Sequence, residues 1–96
     1  MKIKELLAKP ISWTQGAYAR DKDGNGVHIK SKFAISFCLL GAIEYCYDTV
    51  PECITILNKI RKELGIDQFT TWNTAWNDAP ERTHKDILDL VTKLDI

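Results

Sequence analysis

Apolar positions crowd one stretch of this chain and fall into spaced stripes elsewhere. Between Lys32 and Tyr47 almost every position is apolar: Phe33, Ala34, Ile35, Phe37, Cys38, Leu39, Leu40, Ala42, Ile43, Tyr45, Cys46 and Tyr47. A helix with little polar face is buried on all sides, so the pattern predicts a central buried helix over about 32–47. Gly41 sits in its middle at a cost of about 1 kcal/mol relative to alanine. Close approach of another backbone, or of a ligand, would account for it.

After Tyr47 the pattern becomes one-sided. Thr49 and Glu52 have the spacing of a capping box, and Pro51 is tolerated in a first helical turn. Cys53, Ile54, Leu57, Ile60 and Leu64 then form an apolar stripe, with Asn58, Arg61 and Lys62 facing water. Gly65 suits the left-handed residue that ends a helix, with Ile66 folding back on the last turn. A second cap pattern, Thr83 to Asp86, opens a final helix whose inner face is Ile87, Leu88, Val91 and Leu94. At the other end, Met1–Lys9 predicts a short helix with Ile3, Leu6 and Leu7 on one face, stopped by Pro10. It is too short to stand alone and must dock.

Two stretches lack a helical period. Residues 13–30 predict a short hairpin or a structured loop. Asp21-Lys22-Asp23-Gly24-Asn25-Gly26 is a dense turn signal, and Val27–Ile29 could return beside Ala17–Arg20. Residues 67–78, rich in Thr, Asn and Trp, read as a long connection, and long loops in compact domains are more often functional. The expected fold is mainly α: one domain over 1–96, a central helix packed by two or three others, and the 13–30 segment across one end.

Thirteen basic and thirteen acidic residues cancel, so no excess positive charge argues for a DNA or RNA polymer or for a membrane surface. No run approaches the roughly 20 apolar residues of a bilayer span, and the N-terminus lacks the apolar core of a signal peptide. Cys38, Cys46 and Cys53, an odd number in apolar patterns, read as reduced buried thiols. The expected location is the cytoplasm.

Residue chemistry excludes more than it selects. Asp21, Asp23, Asn25 and Gly26 match half of a calcium loop, but Lys32 stands where the bidentate glutamate belongs. His28 and His84 are isolated and no Cys-x-x-Cys occurs, so no metal is expected. Cys38, placed mid-helix on an apolar face, reads as an inert thiol, and no catalytic residue and no cofactor are assigned. Two polar constellations remain: Trp13, Gln15, Arg20 and Asp21 in the first loop, and Trp76, Asn77, Asp78 and Arg82 in the second. Arginine forks bind carboxylates or phosphates, indole faces stack on rings, and carboxamides both donate and accept. The same atoms could instead staple loops to helices, with Asp21 and Asp78 capping local amides.

Three blocks in order, Trp13-x-Gln15-Gly16-Ala17-x-Ala19-Arg20-Asp21-x-x-Gly24, Phe37-Cys38-Leu39-Leu40-Gly41-Ala42-Ile43 and Trp76-Asn77-Asp78-x-Pro80-x-Arg82-Thr83-x-x-Asp86-Ile87-Leu88, resemble a family of small bacterial and bacteriophage proteins classed as a domain of unknown function. The resemblance spans about residues 13–91 and implies no established activity. Two Trp/Asp/Arg-containing loops with no credible nucleophile, metal site or acid–base pair make the expectation a non-enzymatic binder of a small anionic or nucleotide-like ligand; in a phage-encoded protein that ligand would be a nucleotide-derived signal of host defence, held so that it cannot act. A homodimer would complete the pocket. The alternatives are an interaction module that inhibits or adapts a host protein, and a small hydrolase using Asp21 or Asp78 as base. Neighbouring arginines weaken such a base.

Overall fold

The computed structural model describes residues 1–66 and 72–96, with Trp72 and Asn73 described by their backbone alone. In chain order the elements are α1 (Ile3–Leu6), a 3-10 turn (Pro10–Ser12), β1 (Ala19–Arg20), β2 (Ser36–Phe37), α2 (Leu39–Cys46), α3 (Val50–Leu64), α4 (Trp72–Asp78) and α5 (His84–Leu94). The protein is mainly helical, with one small antiparallel sheet.

The local signals act where the sequence puts them. Thr49 Oγ1 accepts from the Glu52 amide at the start of α3. Gly65 takes the left-handed conformation (φ 69°), and the Ile66 amide donates to the Arg61 carbonyl. Thr83 and Asp86 form a reciprocal capping box at α5. Asp21 Oδ1 accepts from the amides of Asp23 and Asn25, closing the 21–26 turn.

The predicted helix over 32–47 is corrected: helix begins only at Leu39. Residues 32–33 lie in a turn, and Ser36–Phe37 are extended because β1 takes them as a partner, with Ala19 opposite Phe37 and Arg20 opposite Ser36. Apolar, β-branched and aromatic residues suit a strand as well as a helix, and an available edge decides between them. The Cys38 thiol then caps the helix, accepting from the Gly41 amide at 3.3 Å. Phe33 and Ile35 are exposed, at 62% and 45%, rather than buried. The return beside Ala17–Arg20 is present in part. Gly26 bridges to Arg20, and the Val27 amide donates to the Ala19 carbonyl. β1 is therefore flanked on both sides.

Two further boundaries differ. α1 is a single turn, Ile3–Leu6, and Pro10 opens a 3-10 turn. Residues 72–78 of the expected connection are helical, held by tertiary bonds that outweigh the weak helix propensity of Thr and Asn. The remainder of that connection, 67–71, lies outside the described residues. In α3 the inward positions are Ile56 and Ile60, while Ile54 is half exposed.

The core gathers Leu39, Ala42 and Ile43 of α2, Ile56 and Ile60 of α3, and Ile87, Leu90 and Val91 of α5. Ile3, Leu7, Ala19, Ile29, Phe37 and Ile96 complete it. α1 docks through this apolar face and through the chain ends. His84 Nε2 lies 2.6 Å from the Leu7 carbonyl, and Lys2 and Lys4 both reach Asp95.

Candidate functional site

The two polar constellations meet. Asn77, on the last turn of α4, is completely buried and joins three segments. Its Oδ1 accepts from the Trp13 indole N–H at 2.7 Å and from the Leu39 amide at 3.0 Å. Its Nδ2 donates to the Thr14 carbonyl at 3.1 Å and to Asp78 Oδ1 at 2.8 Å. Both lone pairs and both N–H groups of the carboxamide are thus engaged, which is what a buried amide requires. By bonding the Leu39 amide, Asn77 also satisfies one of the donors that a helix start leaves open.

Gln15 adds a second clasp. Its Nε2 donates to the carbonyls of Asn77 and Ala79, at 2.8 and 3.0 Å. These carbonyls lie at the C-terminal end of α4, where the chain needs donors. The Gly16 amide donates to Asp78 Oδ1 at 3.1 Å. Gly16 has φ 80°, and a Cβ there would stand 3.1 Å from Arg20 Nη2.

The arginines are engaged as well. Every nitrogen of the Arg20 guanidinium donates within the chain: Nε to Thr14 Oγ1, Nη1 to the Gly24 carbonyl and Nη2 to the Gln15 carbonyl. Arg20 therefore ties the 21–26 turn to the Trp13–Gly16 loop. Arg82 Nε donates to the Trp76 carbonyl at 2.9 Å. Its guanidinium lies 4.1 Å from the centre of the Trp76 ring, a cation–π contact that covers one indole face. Its Nη1 stands 3.9 Å from Asp86. The Asp21 carboxylate caps its own turn, and the Asn25 amide holds its pKa below the usual carboxylate value.

Gly41 answers the expectation placed on it. A Cβ there would lie 2.1 Å from the Tyr18 carbonyl oxygen, so another backbone occupies that space. This close crossing lets the Gly16–Ala19 segment run against the start of α2.

What the convergence leaves open is a cleft of about 220 Å³ lined by Gly16, Ala17, Tyr18, Cys38, Thr74 and Asp78. Of the eight residues singled out from the sequence, only Asp78 lines it. Asp78 Oδ1 is held by two donors, while Oδ2 has no hydrogen bond among the described residues. Cys38 is corrected from a mid-helix position to the cap of α2, on the cleft wall. Burial raises its thiol pKa, and the Asp78 charge pushes in the same direction. The Gly41 and Leu40 amides act against both and are outweighed. The sequence carried a partial signal for this wall: Gly16, Ala17 and Cys38 lie in the matching blocks, but nothing in their side chains suggests a contact surface. Tyr18 and Trp72 also offer rings for a wall by residue type: Tyr18 lines the cleft, and the Trp72 side chain lies outside the described residues.

No curated protein and no solved structure is detectably similar to the chain. A model of one protein family, described as a family of unknown function and designated DUF6197, matches residues 2–94, and the chain belongs to that family.

Proposed function

We propose that the protein is a non-enzymatic binder of a small ligand, held in the cleft where the Gly16–Tyr18 segment meets α4. One observation carries the reading. Asp78 lines the cleft with one carboxylate oxygen pinned and the other unbonded within the described chain. A carboxylate held in this way is a preorganised acceptor, and it selects a hydrogen-bond donor on the ligand. Ala17 and Cys38 supply apolar wall beside it. The volume is below the roughly 300–1,000 Å³ of drug-sized sites, so the cleft suits one ring or a short polar group.

A nucleobase amino edge or a ribose hydroxyl fits this chemistry. A nucleotide-derived ligand would place that portion on Asp78. Its phosphates would draw on Arg82, whose Nη2 makes no hydrogen bond among the described residues, rather than on Arg20, which is spent on the fold. The narrower form of the proposal is a phage-encoded protein that withdraws a nucleotide-derived defence signal from its receptor. That form rests on analogy with other small phage-encoded proteins.

Calorimetry with nucleosides and with linear and cyclic nucleotides tests the reading. Saturable binding that weakens about tenfold in Asp78→Asn, a loss of about 1.4 kcal/mol, is expected. Asparagine keeps an oxygen for Gly16 and loses the charge. The ligand should be recovered chemically unchanged after heat release. No binding at high micromolar concentration by folded protein overturns the proposal, and conversion of the ligand overturns its non-enzymatic part.

Exposed Phe33 and Ile35 favour a second reading, an interaction module that acts on a host protein. Together they form an apolar rim beside the 21–26 turn. Stoichiometric recovery of one host protein that is lost in Phe33→Asp, with no nucleotide binding, would establish it over the first.

A further inference from the structure

Tyr18 is the aromatic residue that lines the cleft, and its backbone and its ring are in opposite situations. The backbone is fixed. Its carbonyl accepts from the Cys38 amide at 3.1 Å, and its Cα lies 3.3 Å from where a Gly41 Cβ would stand. The next residue, Ala19, is fully buried in the core. Successive side chains of an extended segment leave on opposite faces, so Tyr18 is turned away from the core. The residue is 53% exposed, and its ring makes no hydrogen bond, aromatic contact or cation contact among the described residues. The indoles of the two loops are engaged: Asn77 holds the Trp13 N–H, and Arg82 covers a face of Trp76.

The other lining residues narrow the ligand. Asp78 is the only charged residue on the cleft wall. Gly16 and Ala17 offer no polar side chain, and burial keeps the Cys38 thiol protonated. A ribose brings more hydroxyls than this wall can pair, and a buried hydroxyl without a partner is costly. A flat heterocycle carries its polar groups at the edge and has two apolar faces. An exocyclic amine presents N–H groups to a carboxylate. The imide of uracil sets its one N–H between two carbonyls, which a carboxylate repels.

We infer that the cleft takes an amino-bearing heteroaromatic ring, such as the base of a cytidine or adenosine nucleotide, with its edge on Asp78 and one face stacked on Tyr18. The inference rests on the reading of the cleft as a small-ligand site, and it selects the base rather than the ribose as the portion held there. Stacking on an aromatic side chain tolerates any base, so Tyr18 supplies affinity while Asp78 discriminates between edges. The backbone is already set and the ring has no internal partner to lose, so binding has to order little more than one side chain.

Calorimetry of the full chain with the 5′-monophosphates of cytidine, adenosine and uridine and with ribose 5-phosphate tests the inference. The cytidine and adenosine nucleotides should bind, with the uridine nucleotide and ribose 5-phosphate each at least about tenfold weaker. Tyr18→Leu should weaken binding of the cytidine nucleotide about tenfold, and Tyr18→Phe less than about twofold. Circular dichroism melts of both variants should match the wild type, because the ring has no partner in the fold. Binding that falls in Asp78→Asn but not in Tyr18→Leu overturns the inference and leaves the cleft a ligand site. So does a uridine nucleotide or ribose 5-phosphate bound as tightly as the cytidine nucleotide. No binding of any of the four probes by folded protein overturns the inference and the cleft reading together.

Discussion

Replacing Asn77 by alanine should cost more than its position near the end of a seven-residue helix implies. The carboxamide is fully buried and serves the Trp13 indole, the Leu39 amide, the Thr14 carbonyl and Asp78. Asp78 is exposed and can turn to water. The Leu39 amide is buried and cannot, while Trp13 and Thr14 are half-buried and recover water only in part. A buried group left without its partner costs about 1–3 kcal/mol. Full loss at Leu39 and partial loss at Trp13 and Thr14 comes to about 3–5 kcal/mol. Domains of this class are stable by about 5–15 kcal/mol, so a large share would go. At about 4–8 °C per kcal/mol, the melting temperature should fall by roughly 12–40 °C. Urea unfolding followed by circular dichroism, at unchanged m, measures it. Trp13→Phe alone should cost about 1–2 kcal/mol. Combined with Asn77→Ala it should be less than additive, since the shared bond can be lost only once. A cost below about 1 kcal/mol for Asn77→Ala, or strict additivity of the two, would refute the account of Asn77 as the joint between the loops.

Two glycines separate steric from conformational demand. Gly41→Ala drives a Cβ to 2.1 Å from the Tyr18 carbonyl, so backbone must move and the loss should reach several kcal/mol, read as failure to give a cooperative melt. Gly65→Ala meets open space at φ 69° and should cost only about 1 kcal/mol by the same assay, while keeping the native spectrum. Asp95 contributes to the decline of stability in acid. Hydrogen bonds from Lys2 and Lys4 lower its pKa from 3.8 to about 2. Because the folded value is the lower one, its contribution is present above about pH 4 and is lost as pH falls toward 2. Asp95→Asn should therefore lower stability at neutral pH and flatten the decline between pH 4 and 2 in melts over that range; an unchanged slope would count against the lysine contacts.

The parts of the fold that were legible depend on chemistry within a few residues. The caps at Thr49 and Thr83, the left-handed Gly65 and the Asp21 turn each need only a side chain and amides up to four positions away. Gly41 was legible as a demand for space, though not as to what fills it. The strand at Ser36–Phe37 was not legible, because a run of apolar residues meets the burial requirement of strand and helix alike. β1, more than fifteen residues earlier, supplies the edge that settles the matter. α4 was missed for a related reason: its Thr and Asn content disfavours helix locally, while Asn77 is fixed by bonds that span 38 to 64 residues.

The candidate site divides along the same line. Composition marked Trp13, Gln15, Arg20, Asp21, Trp76, Asn77, Asp78 and Arg82 as residues with bonding capacity beyond that of an ordinary loop. Their convergence, and the use of most of that capacity inside the chain, follow from tertiary geometry. Burial forces each polar atom to find a partner, and the nearest partners are one another. The sequence therefore carries the inventory of donors, acceptors and caps, since these are properties of single residues and short spacings. Which of them stay open to a ligand is set by packing, because an atom is available only where no other part of the folded chain has reached it first. By that criterion Asp78 keeps one carboxylate oxygen without a partner among the described residues, and Arg20 keeps no such nitrogen.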